Sequence, residues 1–217
     1  MTLLTRYKQW THAVVQMVNA PRGDAAHYRS RYLLPQRTRQ DMQAAGVHAV
    51  AHGLAHATTG EISVRLRATQ LAITCQGANL TCLGESDVLI GGLASATALP
   101  HAARHLDWHH AIYQHTPATS VVVVQPTNVL ALAMLGRLPE EGCSDVLMAI
   151  GGVQLIHAHE VLAAVAERAA HTHVFVVQGV GCIAWGDSPH DALLRADALE
   201  YAARLTIVTH MLRSPSV

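Results

Sequence analysis

The chain has 217 residues with 15 Lys+Arg against 15 Asp+Glu, so its formal charge is zero with its histidines neutral. Half of it is hydrophobic and only 14% charged, which supplies the apolar surface of one compact domain and excludes a disordered or solvating chain. No basic stripe exists to neutralise phosphates and FWY amount to 4%, so nucleic acid is excluded as an expected partner.

In chain order, residues 3–19 read as a helix and Pro21 to Pro35, with Gly23, Asp24 and several arginines, as a connecting segment. The expected division is therefore 1–35, an N-terminal helix and connector, and 36–217, the folded domain. From Thr38 to Leu54 the apolar positions recur at helical spacing; after Gly60, the run Ile62 to Leu66 alternates in strand fashion. Leu71 to Thr74 and Asp87 to Ile90 read as strands around a loop holding Gly77, Asn79 and Gly84. Pro100 suits the first turn of a helix running to about His115. Thr119 to Val124 is a β-branched run that reads as a buried strand, and Pro126 opens the next helix. A short helix follows at 159–170, strands at Val174–Val177 and Cys182–Trp185, and a terminal helix from Ser188-Pro189 to about Leu212. The order is mixed α/β. Apolar stretches such as Val121 to Val124 are far too short to span a bilayer, so no membrane partner is expected.

Three residue types narrow the chemistry. Lys8 is the only lysine, and it falls in the N-terminal helix, so an imine mechanism through a desolvated lysine is excluded. Histidine occurs 16 times, which raises metal binding and proton transfer without locating either. Cys75, Cys82, Cys143 and Cys182 form no CxxC pair and are expected as reduced, mostly buried thiols of a cytoplasmic protein.

The stretch Gly53-Leu54-Ala55-His56-Ala57-Thr58-Thr59-Gly60-Glu61-Ile62-Ser63-Val64-Arg65 resembles the opening signature of the class II aldolase/adducin family. Later landmarks fall in the family's order: Ile73 to Gly77, His109-His110-Ala111-Ile112-Tyr113, Ser120 to Pro126, Gln178-Gly179-Val180 with Trp185-Gly186, and Ala192 to Leu205. The resemblance spans about residues 38 to 210. It implies a three-layer α/β/α sandwich with a largely antiparallel central sheet, and a homo-oligomer, most often a ring of four.

The resemblance also implies a pocket, and there the chain departs from the family. Members hold a divalent metal, usually zinc, with three histidines; the matching positions here are Val123, Gln125 and Gln178. Valine has no lone pair and an amide oxygen is a poor zinc ligand, so no metal or other cofactor is expected at that location. The family's acid/base glutamate matches His105, where an imidazole can exchange a proton near neutral pH. The loops that would hold a phosphate read Thr59-Gly60-Glu61, Gln76-Gly77 and Ala103-Arg104. A carboxylate there repels an anion unless Arg104 neutralises it, so Glu61 and Arg104 are expected within salt-bridge reach.

Three functions follow from these residues. One is a binding or scaffold domain that keeps the fold without the zinc site. The second is a metal-independent lyase, isomerase or decarboxylase acting on a small hydroxy or keto acid or sugar, with His105 as acid/base. The third is a metal-dependent sugar-phosphate aldolase or epimerase, the only reading that needs zinc. The remaining histidine patterns, His48/His52/His56 and His101/His105/His109 at i, i+4 spacing and the pairs His157/His159 and His171/His173, could chelate a metal, but read more simply as solvated or interface faces, His105 excepted.

Overall fold

A computed structural model describes residues 34–56, 58–93, 99–140 and 144–213. The helix expected over 3–19, nearly all of the connecting segment, and Cys143 lie outside the described residues. The first helix, α1 (Gln36–Ala51), stops short of the expected Leu54 because Gly53 takes a φ of 68°. The Gly53 amide donates to the Val50 carbonyl at 3.1 Å and the Leu54 amide to the Ala49 carbonyl at 2.8 Å, the paired bonds by which a left-handed glycine closes a helix.

Seven strands make one sheet: β1 (Glu61–Arg67), β2 (Gln70–Thr74), β3 (Val88–Gly92), β4 (Ser120–Val124), β5 (Gln154–Ile156), β6 (Val174–Val177) and β7 (Gly181–Gly186). They lie in the order β3-β2-β1-β4-β7-β6-β5, and every pairing is antiparallel except β5 with β6. The other helices are α2 (Leu106–His115), α3 (Thr127–Met134), α4 (Ser144–Ala149), α5 (Val161–Arg168) and α6 (Pro189–Arg213). Strand side chains alternate between faces, so the sheet builds two cores. Ile62, Ala72, Val122, Val124, Val176 and Ala184 face α1, α3 and α6. Leu71, Ile73, Val121, Val123, Phe175, Ile183 and Trp185 face α2 and α5. The chain is thus a three-layer α/β/α sandwich about a largely antiparallel sheet, as the resemblance implies.

Two further local expectations are corrected, and two elements were not read from the sequence. The helix expected from Pro100 begins only at Leu106, because residues 101–103 bond to the end of β2 instead of to each other. Ala103 N–H donates to the Thr74 carbonyl and Gln76 N–H to the His101 carbonyl, each at 2.9 Å, while His101 is bent to a φ of 68°. The strand β5 and helix α4 carry too little periodicity to be read from the sequence; β5 is three residues long and owes its state to parallel pairing with β6. Of the described cysteines only Cys182 is buried, Cys75 is half-buried and Cys82 is exposed. Among the described residues, no helix is long and apolar enough to cross a membrane.

Candidate functional site

The register fixes which residues meet at one edge of the sheet. Glu61, the first residue of β1, pairs with Val123 near the end of β4, and Val123 pairs with Ile183 near the start of β7. Val177, the last residue of β6, pairs with Gly181. Thr59-Gly60-Glu61, Gln76-Gly77, Gln125 and Gln178 therefore collect at the same edge, although more than a hundred residues separate the first from the last. The segment carrying Arg104 and His105 joins them through its bonds to the end of β2.

Glu61 is the centre of this edge. Its side chain is nearly buried, and each oxygen is engaged: Oε1 accepts from His105 Nδ1 at 2.9 Å, while Oε2 accepts from the His105 backbone N–H at 3.2 Å and from His109 Nε2 at 3.3 Å. Burial by itself would raise the Glu61 carboxyl, but the hydrogen bonds and charges of His105 and His109 outweigh it and hold the group at about 2. It is thus an ionised carboxylate. His105 sits just before the first turn of α2 and stacks on Trp108, with ring centroids 4.0 Å apart; its side chain is 18% exposed against 0% for His109. Because its Nδ1–H is committed to Glu61, the tautomer leaves Nε2 as the nitrogen able to accept a proton.

Behind this pair the polar contacts run inward. His109 Nδ1 accepts from Ser63 Oγ at 2.7 Å, and Ser63 Oγ lies 2.8 Å from the Tyr113 hydroxyl. Glu61 and Ser63 are two apart on one face of β1, and His109 and Tyr113 four apart on the inner face of α2, so strand and helix periods bring the four groups into one line. Burial pushes the Tyr113 phenol up, which keeps it a donor, and the proton donors then point uniformly from Tyr113 through Ser63 and His109 to Glu61. Arg65 fixes the far end, its guanidinium 5.0 Å from the Tyr113 ring centre and donating to the Tyr113 carbonyl at 2.6 Å. The order carboxylate, imidazole, hydroxyl is that of a serine nucleophile, but Ser63 is wholly buried and no substrate can reach it. Sequence reasoning missed Ser63, His109 and Tyr113. The signal was a row of polar residues, Glu61, Ser63 and Arg65, alternating with apolar ones along β1.

The expected Glu61–Arg104 ion pair is not formed. Among the described residues the ion partners of Glu61 are His105 and His109, and Arg104 is exposed. An imidazole that follows Arg104 by one residue already occupies the carboxylate, which leaves the guanidinium no reason to be desolvated. Thr59 uses its hydroxyl locally, accepting from the His56 N–H at 3.0 Å, and Gly60 is packed so closely that an added Cβ would stand 2.5 Å from Leu80 Cδ1. Gln76 and Gly77 are exposed, Gln125 and Gln178 half-buried, and Val123 is buried in the apolar cluster under α2. An aliphatic side chain, two amides and a carboxylate already shared by two imidazoles do not fit a zinc ion held by three histidines. His157 with His159, and His171 with His173, are exposed.

The Glu61 carboxyl makes an acid-stability prediction. Its folded value lies below the unfolded value of 4.5, so its contribution is fully present above about pH 4.5 and is lost as pH falls toward 2. Urea midpoints measured from pH 7 down to 3 should fall in the wild type and fall less steeply in Glu61→Gln; parallel curves would mean that the carboxylate is not specially stabilised.

Comparison with known proteins agrees with this fold. The family model described as Class II Aldolase and Adducin N-terminal domain matches residues 40–207. The 3,4-dihydroxyphthalate decarboxylase of Terrabacter sp. (strain DBF63) is 30% identical over 184 residues, covering 73% of this chain and 75% of the relative. The methylthioribulose-1-phosphate dehydratase of Methylococcus capsulatus is 26% identical over 195 residues, 76% of this chain and 91% of the relative. Among solved structures, the L-fuculose-1-phosphate aldolase of Thermus thermophilus superposes with a TM-score of 0.71 at 23% identity, covering 82% of this chain and 97% of that one.

Proposed function

The chain belongs to the class II aldolase and adducin family, and from that premise we propose that it is a metal-independent lyase of the decarboxylase type, acting on a small hydroxy or keto acid with His105 as acid/base. The observation that carries this reading is the bond from His105 Nδ1 to the ionised Glu61. A carboxylate behind an imidazole fixes one tautomer and stabilises the imidazolium once Nε2 takes a proton, the arrangement general-base catalysis needs. A domain that only binds or scaffolds has no use for a buried carboxylate whose desolvation must be offset by two imidazoles.

The chemistry suits an acid with an enolic or phenolic hydroxyl next to the carbon bearing the carboxylate. His105 Nε2 takes the hydroxyl proton and returns it to that carbon, leaving a carbonyl. The bond to the carboxylate then breaks, carbon dioxide leaves, the electron pair passes into the carbonyl, and a solvent proton completes the product. Gln125, Gln178 and Arg104 are the donors at this edge for the developing oxyanion, with Thr59, Gly60, Gln76 and Gly77 forming its rim. A sugar phosphate, carrying up to two negative charges against the one of a carboxylate, suits the edge less well beside Glu61, with which Arg104 forms no ion pair. The relative named as a decarboxylase supports the reading, and the exposed Met134, Leu135, Tyr201, Met211 and Leu212 suit a homo-oligomer.

A panel of small hydroxy and keto acids, assayed for carbon dioxide release with wild type and His105→Ala, with and without chelator, tests the proposal. Chelator-resistant turnover that His105→Ala lowers about 10²-fold or more is expected. Turnover abolished by chelator would install a metal enzyme in its place, and binding of a panel acid without any turnover would favour the binding domain.

A further inference from the structure

On the other side of the sheet, a second group of titratable side chains takes no part in the edge around Glu61 and His105. His48 lies in the last turn of α1, His52 caps that helix, and Asp197 lies on α6. Each offers one ligand atom, and these atoms all lie within 4.8 Å of one another. The His48 and His52 rings stack with centroids 4.0 Å apart, and His52 Nδ1 is 3.4 Å from Asp197 Oδ2. His56, the third member of the sequence trio, lies beyond the helix in an exposed turn, since Gly53 has ended the 3.6-residue period.

Two features set this cluster apart from a solvated helix face. His48 Nε2 is buried with no hydrogen-bond partner among the described residues, an arrangement proteins rarely leave uncompensated. The spacing matches as well. Two donors at zinc bond lengths of about 2.0–2.1 Å in tetrahedral geometry stand about 3.3–3.4 Å apart, the span already found between His52 and Asp197.

We propose that His48, His52 and Asp197 form a divalent-metal site of the zinc class that ties the end of α1 to α6, separate from the edge that holds Glu61 and His105. His190 meets the His48 ring edge-on at 5.6 Å but lies outside the group whose ligand atoms come within 4.8 Å of one another, so the protein offers three donors. The bound ion would steady the turn that follows α1, where the Leu54 carbonyl accepts from the Gln125 N–H at 2.8 Å before the chain enters Thr59-Gly60-Glu61. The ion takes no part in the proton transfer proposed above.

The test uses the full chain, stripped with chelator and titrated with Co²⁺ alone and then with Zn²⁺ in competition. A visible absorption that saturates at one Co²⁺ per chain and disappears on adding Zn²⁺ is expected. His52→Ala and Asp197→Asn should each weaken binding at least about ten-fold, whereas a His157→Ala, His159→Ala double variant should bind as wild type does. Metal should raise the Tm of wild type but not of Asp197→Asn. That near-isosteric change carries the test should His52→Ala fold poorly. The absence of a saturable band, or a band that Asp197→Asn leaves intact, would overturn the site; weak binding spread over many histidines counts as the first of these.

Discussion

Glu61→Gln should lower turnover by about 10²- to 10⁴-fold while leaving KM nearly unchanged. The glutamine is close in shape and can still accept from the His105 backbone N–H, so the fold around the edge is preserved. What changes is the tautomer. An amide NH₂ facing His105 Nδ1 at the 2.9 Å separation now held by the carboxylate asks that nitrogen to accept, which moves the ring proton to Nε2 and removes the lone pair that takes the substrate's proton. The amide also withdraws the charge that would stabilise an imidazolium. Single-turnover rates of carbon dioxide release, with wild type, Glu61→Gln and Glu61→Asp compared, check this. The aspartate variant should recover part of the lost rate because the charge is restored at the cost of reach. Equal activity in Glu61→Gln and wild type would leave His105 without its orienting partner and sink the proposed acid/base role.

His109→Ala should cost about 3–5 kcal/mol of folding stability. The imidazole is wholly buried and bridges β1 to α2, donating to Glu61 and accepting from Ser63. Its removal leaves an imidazole-sized void, a carboxylate with one partner fewer, and a buried hydroxyl without its acceptor. Tyr113→Phe deletes only the hydroxyl at the far end of the line and should cost about 1 kcal/mol. Urea unfolding of the two variants should give the larger loss for His109→Ala, with Tyr113→Phe the fallback measure should the alanine protein not accumulate. A His109→Ala midpoint equal to that of Tyr113→Phe would show that apolar packing alone seats α2 on the sheet.

The sequence by itself determined the mixed α/β order of elements, while the three-layer arrangement was implied only by the resemblance. Alternation along Ile62 to Leu66, the β-branched run ending at Val124 and the long period-3.6 pattern after Pro189 each encode a local period strong enough to survive any packing. The ordered loop landmarks led to the family for the same reason, being local in the chain. The resemblance also implied that Glu61, His105, Gln125 and Gln178 share one pocket, and the strand register brings them to one edge of the sheet. Which of them pair was decided only by the tertiary structure. Arg104 and His105 are adjacent in sequence and both could answer Glu61, and the bonding of residues 101–103 to β2 delays α2 until Leu106, leaving His105 the residue whose amide and ring reach the carboxylate. The line through Ser63, His109 and Tyr113 needs β1 and α2 face to face, across 46 residues between Ser63 and His109. The meeting of His48 and His52 with Asp197 likewise depends on α1 lying against α6. Hydrogen bonds and ligand geometries close over a few ångströms in space, and the chain states its periods but not which distant periods will be packed together.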